Sequence, residues 1–294
     1  MKPIVTVGMC VKNNEATVRE AAKCIINQDF PDELMEIIVV DGCSQDKTLS
    51  ILKCLFSKRA NEVRIFSENK GLGFARQIVV DNALGEYIVW VDVDILLSQN
   101  YIKDLVDFME RNSSIAIAVG SFGLMPNDNW VAILESIGYV VESLKHSGQE
   151  TSNLLGTKGS IFRVTAIKSV GGFDINIKGA QEDLDVAHKL KSNGWKFFIT
   201  NAMLYEKQRT TWSAIWKRHF WYGYGLHFIK HKHKKRNMFN DKTNDRIVIS
   251  SLAYKLTHRK VVFLLPLNFF FRKTALILGF LSAHLNGYGH NHKT

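Results

Sequence analysis

Proline and cysteine are both scarce, with four of each. So few prolines, beside 46% hydrophobic and 22% charged residues, exclude a disordered or linker-rich chain. The cysteines, Cys10, Cys24, Cys43 and Cys54, all lie in the first 54 residues. With no CxxC pair and no Cys-His spacing, they exclude a zinc module and read as small buried hydrophobes in a reducing compartment. No secretory leader is recognisable between Met1 and Cys10, where one lysine precedes a short apolar run that turns polar at Lys12. A cytoplasmic chain is expected. There is no internal repeat, and no uninterrupted apolar run reaches the roughly 20 residues that a bilayer-spanning helix needs. Acid is nearly missing from the end: after Glu206 stand 2 Asp and Glu against 17 Lys and Arg, while the first 206 residues hold 26 against 21.

What is present is an alternation of β-branched runs with amphipathic stretches, the signature of an α/β domain with a mainly parallel central sheet and flanking helices. Strands are expected at Ile4–Met9, Glu36–Val40, Val63–Phe66, Tyr87–Val91 and Ile115–Val119. Helices are expected at 16–27, 46–57, 73–82, 101–111, 129–144 and 181–192. The first four strands end in polar residues, at Lys12-Asn13-Asn14, Asp41-Gly42, Glu68-Asn69 and Asp92-Val93-Asp94. Ligands of open α/β sheets sit at the carboxyl ends of strands, so chemistry is expected at these tips.

Asp92 and Asp94 follow the apolar run Tyr87–Val91 and, as alternate residues leaving a strand, would project to one side. Two such carboxylates suit Mg²⁺ or Mn²⁺ bridging the oxygens of a diphosphate. Asp46 reads as the cap of the following helix. Asp41, at the tip before it, can accept from the imide N–H of a uracil or a comparable donor edge. Glu182 and Asp183 open a helix, where the dipole alone favours acid. The preceding Val170-Gly171-Gly172-Phe173-Asp174, a glycine-rich segment beside these paired carboxylates, suits an acceptor site.

Taken in order, Val11-Lys12-Asn13-Asn14-Glu15, Val39 to Thr48, Glu68 to Arg76, Asp92-Val93-Asp94, Gly156 with Phe162-Arg163, Val170 to Asp174 and Glu182 to Asp185 resemble glycosyltransferase family 2. The likeness runs over about residues 4–200. It implies the GT-A fold and an inverting transfer from a UDP- or GDP-linked sugar to an acceptor hydroxyl, assisted by Mn²⁺ or Mg²⁺. By the same resemblance, Lys12, Asn14, Glu15, Asp41, Lys70, Arg76 and Asp92 would line the nucleotide-sugar site. Asp92 and Asp94 would hold the metal, Asp183 would be the general base, and Gly156, Gly172 and Glu182 would face the acceptor. The sequence departs from the family in two places. Glu206 stands where many members carry a metal-binding histidine, and is a weaker candidate ligand. The Gln-x-x-Arg-Trp motif of processive members is absent, which implies addition of a single sugar.

Residues 1–206 are thus expected to form the catalytic domain, and 207–294 a basic, aromatic-rich helical region. Its cations at Lys230 to Arg236, its apolar runs at Val261–Phe271 and Thr274–Leu285, and the intervening Arg272-Lys273 suit helices lying on an anionic membrane. Peripheral attachment to the cytoplasmic face of the cell membrane is expected, with a glycan or lipid-linked acceptor. The same faces also suit packing within the molecule or in an oligomer. The histidines of this stretch are too irregularly spaced to form a metal motif. A nucleic-acid partner would use the same cations and the aromatics of Trp212 to Lys230, but would leave the strand-tip carboxylates without a task. None is expected. The presence of all those carboxylates also speaks against an inactive nucleotide-binding member.

Overall fold

The computed structural model describes residues 2–57, 62–125, 129–177, 180–233 and 245–288, the side chains of 245–250 excepted. In chain order its elements are β1 (Val5–Val11), α1 (Val18–Ile26), β2 (Met35–Asp41), α2 (Thr48–Phe56), β3 (Val63–Ser67), α3 (Leu72–Asn82), β4 (Tyr87–Trp90), β5 (Ile95–Leu97), α4 (Tyr101–Arg111) and β6 (Ile115–Gly123). Then follow α5 (Trp130–His146), β7 (Gln149–Thr151), β8 (Ile161–Arg163), α6 (Val164–Ser169), α7 (Glu182–Ser192), β9 (Lys196–Glu206), α8 (Trp212–His233), α9 (Asp245–Thr257) and α10 (Leu265–Leu285).

Two compact units emerge. The first comprises Met1–Gly123, His146–Lys178 and Glu182–Glu206. Its sheet runs β3-β2-β1-β4-β8-β6-β9-β5, with β7 paired to β9. From β3 to β4 all pairings are parallel. Beyond β4 the sheet is mixed, because the short β8 enters antiparallel to both β4 and β6. Strands β1 and β2 are buried on both faces, which is why they read as near-continuous apolar runs. One face packs Val5, Val7, Met9, Ile37 and Val39 against Ala21, Ile25 and Leu105. The other packs Ile38, Val40, Ile88 and Trp90 against Val79, Val186 and Leu190.

The second unit comprises Leu124–Lys145, Gly179–Gln181 and Lys207–Thr294. Helix α5 therefore groups with the helices that follow β9. Its Leu134, Ile137 and Val141 form a core with Ala253, Val262 and Leu265. Glu135, 1% exposed, accepts from His219 Nε2 at 2.9 Å and has Arg272 Nε at 3.5 Å and Arg218 Nη1 at 4.0 Å. Helices α8 and α10 approach so closely that a Cβ at Gly223 would overlap the Leu276 carbonyl, and one at Gly279 the Phe220 carbonyl. The two apolar runs expected to be separate are joined: α10 crosses Arg272-Lys273 without a break, since both are good helix formers, and the Arg272 guanidinium reaches Glu135. The segment Lys260–Leu285 is consequently long and apolar enough, by length and composition, to cross a membrane. Part of the expected basic run, Lys234 to Arg236, lies outside the described residues.

Burial opposes charge on Glu135, but the His219 hydrogen bond and the nearby Arg272 and Arg218 hold its carboxyl below the usual range. Burial holds His219 below its ordinary 6.5. In both cases the unfolded chain takes up its proton at higher pH than the folded one, so stability falls on acidification. The urea midpoint is expected to drop from pH 7 to pH 4, and Glu135→Gln with His219→Gln should flatten that dependence.

In the first unit, the fully buried Tyr101 hydroxyl donates to the Gly159 carbonyl at 2.7 Å and accepts from Gly120 N–H at 2.9 Å. Tyr101→Phe leaves both backbone groups buried without this partner. It is expected to cost about 1–3 kcal/mol in urea unfolding.

Candidate active site

All of the candidate residues that follow lie in the first unit. Register places Val11 beside Asp41, so the loops after β1 and β2 leave the sheet together. They are laced to each other: Asn13 N–H donates to Ser44 Oγ (2.9 Å), Gln45 N–H to Asn13 Oδ1 (2.8 Å), Asn14 N–H to Thr48 Oγ1 (2.7 Å) and Lys47 N–H to Glu15 Oε2 (3.0 Å). Asp46 accepts from Glu15 N–H and Thr48 N–H, at 3.0 Å each, but it stands one residue before the N-cap of α2, Lys47, and so is not the cap expected of it. Of the residues expected on the donor, Asn14 and Glu15 thus act within this lacing, Asn14 Oδ1 also accepting from Lys12 N–H at 3.3 Å. The Lys12 side chain is exposed, its stem lying over Gly42. Asp41, 3% exposed, accepts from Ser44 N–H through Oδ2 at 3.0 Å. Its Oδ1 is buried with no hydrogen-bond partner.

Strand β4 ends at Trp90, and Ile95 N–H donates to the Asp92 carbonyl at 3.0 Å. Asp92 and Asp94 therefore sit in a turn between β4 and β5; strand alternation, expected to aim them, is not the cause of their placement. Strand β5 pairs antiparallel with β9, setting Ile95 opposite Glu206. That brings Glu206 next to the turn, as a candidate ligand should be, yet its buried carboxylate is ion-paired to Lys158 Nζ at 2.7 Å.

Arg76, on α3, connects this turn to the start of α7. Its Nη2 lies 3.4 Å from Asp92 Oδ1, and its Nη1 is in direct contact with Glu182 Oε1. Both Arg76 and Glu182 are buried, with exposures of 5% and 1%. Burial acts to lower the Arg76 pKa, but Glu182, Asp92 and Asp183 outweigh it and raise it overall, so the guanidinium stays charged. Burial pushes the Glu182 carboxyl up, Arg76 pulls it back, and Asp183 and Asp92 add to the rise. Burial likewise pushes the Cys10 thiol beneath them up to about 12. Lys70 is exposed with its ammonium 4.3 Å over the Phe74 ring, at the start of α3 and apart from these carboxylates in its contacts.

Asp183 opens α7 with its Oδ1 accepting from Leu184 N–H at 2.9 Å and its Oδ2 from Thr157 N–H at 3.3 Å. A Cβ at position 156 would overlap that Oδ2, so glycine there is what lets the carboxylate lie against the 156–159 loop. Glu182, expected to face the acceptor, is turned inward onto Arg76. Gly172 packs against Gln77, whose Oε1 accepts from Phe173 N–H at 2.7 Å. Sequence reasoning missed Lys158, which no motif marks, and the bridging role of Arg76.

Comparison with known proteins bears on this arrangement. The model of glycosyl transferase family 2 matches residues 6–170. A Staphylococcus aureus poly(ribitol-phosphate) β-N-acetylglucosaminyltransferase, TarS, is 30% identical over 113 residues, 38% of this chain and 20% of its own length. A β-monoglucosyldiacylglycerol synthase of Nostoc is 26% identical over 233 residues, 74% of this chain and 48% of its own. The chain thus spans less than half the length of these curated relatives. Among solved structures, a Pyrobaculum calidifontis mannosyltransferase in complex with GDP-Man and Mn²⁺ superposes with a TM-score of 0.61 at 19% identity, covering 100% of this chain and 77% of that one. TarS residues 1–349 with UDP give 0.57 at 17% identity, covering 100% and 93%. At such identities the likeness shows the fold alone, and it is the GT-A fold expected from the sequence. With more than half of its length matched by the family model, from the first strand to the glycine-rich segment before α7, this chain belongs to glycosyltransferase family 2.

Proposed function

We propose that the chain is an inverting, metal-dependent glycosyltransferase that moves one sugar from a UDP- or GDP-linked donor to the hydroxyl of a lipid-linked or membrane-proximal glycan. The observation that carries this reading is the Arg76 guanidinium between Asp92 and Glu182, the residue next to Asp183. Asp41 supports the donor assignment. A buried carboxylate oxygen without a partner is costly unless something donates to it, and an imide N–H of a base would do so.

Asp92 and Asp94 offer hard oxygens on one turn, the donor set that Mn²⁺ or Mg²⁺ prefers. Glu206 is already neutralised by Lys158, so the fit is carried by the two aspartates. Bound there, the ion would supply positive charge against the departing diphosphate. Asp183 takes the proton of the acceptor hydroxyl as that oxygen bonds to the anomeric carbon and the bond to the diphosphate breaks, which inverts configuration. The N–H groups of Thr157 and Leu184 orient its carboxylate.

A nucleotide sugar together with Mn²⁺ is expected to raise the melting temperature, and Asp94→Ala to abolish that rise. Asp183→Asn should keep it while kcat falls by about 10²–10⁴. Undiminished turnover in Asp183→Asn would rule out the base assignment, and a full shift in Asp94→Ala would rule out the metal.

The acceptor class rests on the second unit. Helix α10 and the turn before it leave Phe263 60%, Leu267 64% and Phe270 68% exposed beside the cations Lys260 and Lys273. Such a face suits the headgroup region of an anionic bilayer. A relative named as a β-monoglucosyldiacylglycerol synthase supports a lipid acceptor. Co-sedimentation with phosphatidylglycerol vesicles is expected, weakened roughly 100-fold in Leu267→Glu with Phe270→Glu. Equal sedimentation of that variant would sink the attachment by this face.

A further inference from the structure

Outside the carboxylate site, three imidazoles of the second unit converge. His227 and His231 stand one turn apart on α8, and His284 lies in the last turn of α10. His227 Nε2 lies 3.1 Å from His231 Nε2 and 3.2 Å from His284 Nδ1. All three nitrogens fall within 4.8 Å of one another.

His227 is fully buried, and its Nδ1 lies 2.7 Å from the Tyr288 carbonyl oxygen. A carbonyl only accepts, so Nδ1 carries the proton, and in the neutral form of the ring the Nε2 lone pair faces the other two histidines. One in-plane lone pair serves one donor well, yet two ring nitrogens approach it at hydrogen-bonding distance. A shared cation removes the conflict by accepting a lone pair from each ring. Tetrahedral Zn²⁺, with nitrogens about 2.0–2.1 Å away, sets its ligands about 3.3 Å apart, close to the two short separations here. A backbone carbonyl on the far ring nitrogen is also the usual device that fixes the tautomer of a metal-bound histidine.

We propose that His227, His231 and His284 bind a divalent transition ion of the Zn²⁺ class, with a fourth position left to water, and that the ion fastens the C-terminal ends of α8 and α10 together. All-nitrogen ligation separates this site from the oxygen ligands at Asp92 and Asp94, which favour Mn²⁺ or Mg²⁺. The close approach at Gly223 and Gly279 brings the two helices within reach of one ion. The irregular histidine spacing within α8 gave no motif because the third ligand comes from another helix.

The test uses the untagged, full-length protein stripped with a chelator and carrying Asp92→Ala and Asp94→Ala, so that the carboxylate site cannot answer for it. Titration with Zn²⁺ against a chromogenic chelator is expected to show one equivalent bound, with a rise in melting temperature and a nitrogen-dominated first shell in X-ray absorption. His231→Gln and His284→Gln, both at exposed positions and so compatible with folding, should each weaken binding at least about tenfold. Stoichiometric Zn²⁺ binding unchanged in both variants, or no stoichiometric binding in their parent, would overturn the proposal.

Discussion

A guanidinium buried among carboxylates is the constraint on which the candidate site depends. Asp92 and Glu182 come from elements far apart in sequence, and without Arg76 two acids and the adjacent Asp183 would crowd one poorly solvated region. Like charges so placed raise each other's pKa and drive at least one toward its neutral form. A single delocalised cation with a planar fork can touch both partners at once, which lysine cannot. Arg76 therefore does two things: it stores the opposing charge that lets the acids coexist, and it fixes the distance between the Asp92–Asp94 turn and the start of α7. Glu182 is spent on that task, which leaves Asp183 as the acid of the pair held by N–H donors of the 156–159 loop and of its own helix.

The second unit solves a similar problem with opposite signs. Glu135 is the buried acid, and His219, Arg218 and Arg272 from α8 and α10 gather on it. Arg272, one of the two cations within the apolar α10, is thereby given a counter-charge. Glycines then replace side chains where α8 and α10 meet, so the helices are held by backbone proximity and a central charge cluster as much as by apolar burial.

Much of the first unit was legible because β1, β2, β4 and β6 are long apolar runs and α1 and α4 strongly amphipathic, patterns that survive any tertiary context. The three-residue strands β5, β7 and β8 are too short to show a period and exist only because neighbours pair with them. Their insertion is also what makes the sheet mixed beyond β4. At the site, the strand-tip acids Asp41, Asp92 and Asp94 announced themselves by following buried runs. The pairing of Arg76 with Glu182 spans more than a hundred residues and leaves no local trace. Lys158 and Glu206, 48 residues apart, are likewise unmarked locally, and the continuity of α10 through Arg272-Lys273 shows only in the structure.

The antiparallel match of Ile95 with Glu206 means that the position of the acidic turn is referenced to β9 rather than to the strand that precedes it. A slip of one residue along that eleven-residue strand would present Tyr205 in place of Glu206 and invert every side chain from one face to the other. The two register shifts between β6 and β9 lie upstream of this match, so the ladder absorbs its irregularities before reaching the end that sets the turn. A single insertion between Met203 and Glu206 would thus misplace the two aspartates of the turn, which β9 reaches only through the strand that follows it.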